Sequence, residues 1–237
     1  TFHSVSAKLL RRHAEAVGLN SRFTIIDQED QLRLIKNISK VENIDIKKIS
    51  PQFVLTFINQ WKNKGLLPSN ITTKREAPLE KAILNVYKFY QEKLKILNSC
   101  DFGDLILLCV NMFENNPDIL ELYLNNFKYI LVDEYQDSNY IQSKWLNILA
   151  KKNNNICCVG DDDQSIYSWR GAEIKNFLEF DKVYKNTKIV RLEKNYRSTQ
   201  NILEVASELI SNNKNRVGKN LETTKDTGEL VKLNCFK

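Results

Sequence analysis

The sequence predicts an α/β protein in which an all-helical stretch is followed by part of a parallel sheet. From residue 129 onward, short continuous apolar runs alternate with stretches of helical periodicity, as strands buried between helices do. Before residue 127 every periodic stretch repeats at helical spacing. With 42% apolar residues, 7 Gly and 4 Pro, the 237-residue chain can bury a sizeable core and divides into one or two compact units.

The spacing of Val5, Leu9 and Ala16 predicts a helix over 4–17, stopped by Gly18. Lys8, Arg11 and Arg12 lie on its other side, as on an ordinary solvated face. Asp27 is placed to cap a second helix reaching about Val41, with Leu32, Ile35 and Ile38 inward. Ser50-Pro51 is a cap followed by a first-turn proline, and opens a helix that ends before Gly65. A polar connection covers 66–76. Pro78 then opens a long helix to about Leu97, in which Tyr87, Phe89 and Tyr90 read as core and interface. Asp101 caps a helix over 102–113, and Pro117 starts another to about Asn125.

The pattern changes at Tyr129. Strands are predicted over 129–132, 156–159 and 188–192, with helices over 141–150, 172–180 and 199–212, and a last apolar strand over 229–236. The first of these strands reads as buried on both faces. Three strands before Asn195 are few for a doubly wound sheet, and the missing ones are expected upstream of Thr1, in a longer protein.

Composition limits the function classes. A balance of 35 Lys and Arg against 29 Asp and Glu, net +6, permits a polyanionic partner without requiring one. Five cysteines without a C-x-x-C pair or a His at metal spacing read as reduced thiols of a cytoplasmic protein. Asn37 and Asn70 match a glycosylation pattern, but nothing else points to secretion. No run approaches the roughly 20 apolar residues of a membrane span, so no membrane partner is expected.

The chemistry gathers at strand ends. The run Tyr129–Val132 empties into Asp133 and Glu134, where an open parallel sheet places its ligand crevice. An acidic pair there can hold a metal with one carboxylate and handle water with the other; a plain polar turn is the even alternative on these residues alone. The next strand empties into Gly160-Asp161-Asp162-Asp163-Gln164-Ser165-Ile166-Tyr167-Ser168-Trp169-Arg170-Gly171-Ala172. Its aromatic and cationic residues suit single-stranded nucleic acid, stacking a base on Trp169 and holding a phosphate with Arg170, although on these residues alone packing of Tyr167 and Trp169 against the sheet is the better reading. The third strand leads to Asn195-Tyr196-Arg197-Ser198-Thr199, either a helix cap or a turn that aims Arg197 at a phosphate.

Together, D-E-Y-Q-D at 133–137, G-D-D-D-Q-S-I-Y-S-W-R-G-A at 160–172 and N-Y-R-S-T at 195–199 resemble motifs II, III and IV of the superfamily 1 DNA helicases of the UvrD/PcrA/Rep branch. T-F-H-S at 1–4 and D-F-G-D-L-I at 101–106 are similar to further segments of that family, so the likeness covers essentially the whole chain.

The resemblance implies a partial P-loop NTPase (RecA-like) motor domain at 127–192, an inserted all-α subdomain at 1–126 and the start of a second RecA-like domain at 193–237. It implies ATP and Mg²⁺ as cofactors. Asp133 would hold the metal, with Glu134 beside it, and Glu134 would activate water. Gln164 would sense the γ-phosphate, Tyr196 would stack on adenine and Arg197 would reach the γ-phosphate. Thr1, His3, Tyr167, Trp169 and Arg170 would contact DNA. The implied activity is ATP-driven 3′-to-5′ movement on single-stranded DNA with unwinding of duplex DNA, in repair or replication, alongside DNA-repair partner proteins.

One departure matters. No G-x-x-x-x-G-K-[ST] occurs, and Gly218-Lys219-Asn220 lacks both the hydroxyl residue and the upstream glycine. These 237 residues alone are therefore expected neither to bind ATP tightly nor to hydrolyse it. The helicase part of a helicase–nuclease and a non-catalytic DNA-binding remnant stay open as alternatives.

Overall fold

The computed structural model describes residues 1–42, 49–72, 77–214 and 216–235. Its order is α1 (Phe2–Arg12), β1 (Thr24–Ile25), α2 (Gln28–Val41), α3 (Pro51–Asn63), α4 (Pro78–Ile96), β2 (Ser99–Cys100), α5 (Phe102–Asn115), α6 (Pro117–Asn126), β3 (Ile130–Val132), α7 (Tyr140–Ala150), β4 (Ile156–Cys158), α8 (Lys175–Leu178), α9 (Phe180–Val183), β5 (Lys194–Asn195), α10 (Gln200–Ser211) and β6 (Glu222–Thr223). The architecture is helix-rich α/β with small parallel sheets: β1 pairs β2, β3 pairs β4 and β5 pairs β6.

Helix starts follow local chemistry. Asp27, Ser50 and Asp101 each accept a hydrogen bond from the backbone N–H three residues on, removing one of the orphan donors of a first turn. Thr1 does the same for Ser4, so α1 begins two residues earlier than predicted; it tightens into a 3-10 turn at Ala14–Val17 before Gly18, whose left-handed φ of 74° ends it.

Two apolar clusters form. Leu10, Phe23, Leu105, Val110, Phe113, Tyr135, Ile141 and Leu146 belong to one, which joins α1, α5 and α7 to the β3–β4 layer. Ile35, Val54, Ile58, Ile83, Tyr87 and Tyr90 belong to the other, within α2, α3 and α4. Between them lies a fully buried ionic group. Lys62 Nζ sits 2.6 Å from Asp101 Oδ2 and 2.8 Å from Asp104 Oδ1. The Tyr90 hydroxyl donates to Asp101 at 2.8 Å and Gln91 Nε2 donates to Asp104 at 2.8 Å. Burial alone would lower the Lys62 ammonium, but the two carboxylates hold it above its ordinary value. Burial together with Asp101 pushes the Asp104 carboxyl up.

Several sequence expectations are corrected. Residues 188–192 form no strand and stay exposed, Ile189 and Val190 at 66%, because no described segment lies alongside to pair their backbone. Pairing occurs instead just beyond, between β5 and β6. The run 229–235 is likewise irregular, and Phe236 lies outside the described residues, as do 73–76 of the expected polar connection. The helix expected over 172–180 is two single turns, because Glu173 N–H donates to the Ser138 carbonyl at 2.9 Å and ties the start of that stretch to the loop after β3. The strand 129–132 is covered on one face only: Val132 is buried while Leu131 is 80% exposed, since helices pack against one side of β3. The first half is not purely helical either, because β1 and β2 bridge residues far apart in sequence.

Candidate active site

The parallel register Ile130↔Ile156, Leu131↔Cys157 and Val132↔Cys158 brings the tips of β3 and β4 to the same edge. The ladder continues one step, with Val159 N–H donating to the Val132 carbonyl at 2.8 Å and Tyr135 N–H to the Val159 carbonyl at 3.0 Å. The acidic pair and the polar loop after β4 therefore become neighbours. Asp133 Oδ1 accepts from Glu134 N–H at 2.9 Å, and Glu134 takes a left-handed φ of 52° that turns the chain off the strand.

Asp133 and Glu134 line a cavity of about 690 Å³ together with Thr1, His3, Asp137 and Gln142. Thr1 Oγ1 is occupied in capping α1, and the His3 ring packs edge-on against Phe102 at 5.7 Å; burial pushes its imidazole below the ordinary value. Asp137 Oδ1 is buried without a hydrogen-bond partner, and burial, then the Glu134 charge, push its carboxyl up. Exposed carboxylates beside an unsatisfied buried oxygen suit a hard, oxygen-seeking cation such as Mg²⁺.

The loop after β4 is braced from several sides. Gln164 Nε2 donates to Asp161 Oδ2 at 2.7 Å. Gln136, absent from the sequence-based candidates, donates from Nε2 to Glu134 Oε2 at 2.7 Å and accepts at Oε1 from Asp161 N–H at 3.0 Å. Its signal was present in the sequence, as an amide two residues after the glutamate in D-E-Y-Q-D. Arg216 and Lys219 were also missed. Arg216 grips Asp163 with Nε at 2.8 Å and Nη2 at 2.5 Å, Lys219 pairs with Asp161, and Val217 N–H donates to Asp162 at 2.7 Å. The three adjacent carboxylates thus face cations of the chain itself. Burial alone would raise the Asp161 carboxyl, but hydrogen bonds from Lys219 and Gln164 hold it below the ordinary value.

Tyr167, Trp169 and Arg170 form a separate group. The Arg170 guanidinium lies 4.9 Å from the Tyr167 ring centre and 4.6 Å from that of Trp169, which is 73% exposed. Asn63 Nδ2 donates to the Arg170 carbonyl at 3.2 Å and its Oδ1 accepts from Asn139 at 2.9 Å, which anchors this loop to the end of α3 and the cap of α7. No described hydrogen bond joins this group to Thr1 or His3. Tyr196, 70% exposed, lies under Lys194 at 5.5 Å. The Arg197 side chain makes no ion pair or hydrogen bond among the described residues, although its backbone N–H is held by Asn195 at 2.9 Å. The structure therefore joins Asp133, Glu134 and Gln164 through one network and leaves Tyr196 and Arg197 outside it.

Comparison with known proteins follows the same division. Residues 1–185 match the UvrD/REP helicase N-terminal domain and residues 190–237 match the UvrD-like helicase C-terminal domain. The chain is similar to a probable DNA helicase II homolog of Rickettsia felis, 50% identical over 236 residues, covering 98% of this chain and 36% of that protein. It is 46% identical over 231 residues to DNA helicase II of Haemophilus influenzae, covering 98% of this chain and 32% of that one. It is 44% identical over 237 residues to the ATP-dependent DNA helicase PcrA of Bacillus subtilis, covering 100% of this chain and 32% of the relative. The chain thus spans about a third of the length of these relatives.

Proposed function

The chain belongs to the UvrD/REP helicase family, and on that premise we propose that it is part of an ATP-dependent DNA helicase that moves 3′ to 5′ on single-stranded DNA and unwinds duplex DNA in repair or replication. The observation that carries this reading is the parallel β3–β4 pairing, which sets Asp133 and Glu134 beside the loop of Gln164. In this reading 127–192 belongs to a first RecA-like motor domain, 193–237 opens a second, and 1–126 is the helical part inserted in the first. The separate core of α2, α3 and α4 supports an inserted helical unit, while α1, α5 and α6 share the core of the sheet. The protein acts in the cytoplasm; among the described residues no helix is long and apolar enough to cross a membrane.

Asp133 holds Mg²⁺, with Glu134 next to it. Bound Mg²⁺ supplies positive charge against the phosphate oxygens. Glu134 takes a proton from water as the water oxygen bonds to the γ-phosphorus and the bond from that phosphorus to the β–γ bridging oxygen breaks, leaving ADP. Gln164 reports the γ-phosphate to its loop, where Tyr167, Trp169 and Arg170 hold single-stranded DNA, with Thr1 and His3 contributing from α1. Tyr196 stacks on adenine and Arg197 reaches the γ-phosphate when the motor domains close. Glu134→Gln in the full-length protein is expected to lower DNA-stimulated turnover at least about 100-fold with ATP binding retained. Wild-type turnover would remove Glu134 from this role.

A further inference from the structure

Gln136 is buried at 1% exposure in a site whose carboxylates face solvent. Both ends of its amide are engaged, with Nε2 donating to Glu134 Oε2 at 2.7 Å and Oε1 accepting from Asp161 N–H at 3.0 Å. Among side chains of this length, a neutral carboxamide offers a donor and an acceptor at one end. The seat is tight. A Cβ added at Gly160 would lie 2.6 Å from Gln136 Oε1 and 2.8 Å from the Phe177 ring, so a side chain at 160 would displace the amide. Glu134 itself is exposed and stands on left-handed backbone. The bond from Gln136 holds one oxygen of the Glu134 carboxylate, in a residue that lines the cavity.

We propose that Gln136 is a positioning residue for hydrolysis: it orients the Glu134 carboxylate and ties that carboxylate, through the Asp161 backbone, to the loop that carries Gln164. The proposal rests on the reading of Glu134 as the water-activating base. The connection is short and specific. Asp161 accepts from Gln164 Nε2 at 2.7 Å, so one amide, one backbone N–H and one carboxylate separate the groups that meet water and phosphate. A displacement of the Gln164 loop would pull directly on Glu134, which gives the nucleotide sensor a mechanical route to the base.

The test uses the full-length protein with single-stranded DNA, measuring turnover and, separately, the affinity and stoichiometry of a fluorescent ATP analogue. Gln136→Glu keeps the length and an acceptor for Asp161 N–H but turns the donor toward Glu134 into a second carboxylate. Gln136→Met keeps the volume and removes both bonds. Each is expected to lower kcat about 10- to 100-fold, as misplacement of a reacting group does, with nucleotide affinity within about twofold of wild type and one site per chain. Added to Glu134→Gln, either change is expected to lower turnover no further, because a positioning residue acts only through the group it positions. Wild-type turnover in Glu134→Gln would sink the reading of the site. An inactive Glu134→Gln combined with near-normal Gln136 variants would sink this inference alone. A further loss in the double variants, or a parallel loss of nucleotide binding, would show a general structural role and overturn it too.

Discussion

At the scale of single residues, Glu134 and Gln136 show how little separates a proposed functional group from the side chain proposed to support it. The carboxylate was legible from the sequence because it ends an apolar run at a predicted strand tip. The amide two positions on was not, because whether a glutamine faces solvent or bridges two loops depends on what lies across from it. Trp169 presents the opposite case. By itself the sequence favoured packing on the sheet; the structure leaves Trp169 73% exposed with the Arg170 guanidinium 4.6 Å from its ring centre. Trp169→Ala in the full-length protein is expected to weaken single-stranded DNA binding by about 1–3 kcal/mol, the range for loss of one base–aromatic stack. Fluorescence anisotropy with a labelled oligonucleotide measures it, and unchanged affinity would rule the stack out.

Among the elements, helices were read well and strands poorly. The caps Asp27, Ser50 and Asp101 act within three residues of themselves, so the information for each helix start is local. Strands need a partner that the sequence does not identify. The run 188–192 sets Ile189, Val190 and Leu192 among Lys188 and Arg191, whereas 129–132 is apolar throughout, and only the latter lies beside another strand. The buried Lys62 group illustrates a cost that becomes visible only once α3 and α5 are packed together. Lys62→Met would leave Asp101 and Asp104 buried without their cation, with an expected loss of about 3–5 kcal/mol. A urea titration should show the midpoint falling with little change in slope; a midpoint within error of wild type would mean that the carboxylates are relieved some other way.

Across the whole molecule, the segment matched by the C-terminal family domain reaches back to the loop after β4 through Arg216, Val217 and Lys219. Asp161 is held below its ordinary value in this contact, so its contribution is present above the unfolded carboxyl pKa of about 4 and is lost as pH falls through the lower folded value. The pair is partly exposed, which limits its worth to under about 1 kcal/mol. The stability difference between wild type and Lys219→Gln should therefore be measurable near pH 7 and decline as pH falls below about 4, checked by denaturant midpoints at a series of pH values. A difference that persisted in acid would assign it to packing of the Lys219 stem rather than to its charge.

The sequence by itself determined which residues cap the helices, which runs are apolar and which chemical groups follow each run, because these depend on neighbours a few positions away. That was enough to place the three motifs and the family resemblance they carry. Only the tertiary structure decided that Gln136 bridges Glu134 to Asp161, that Arg216 and Lys219 answer the acidic loop, and that residues 188–192 do not join a sheet. The Gln136–Asp161 bond spans 25 residues and the Arg216–Asp163 pair 53. Hydrogen bonds, ion pairs and strand ladders are set by distances of a few ångströms, and the chain order alone does not contain those distances.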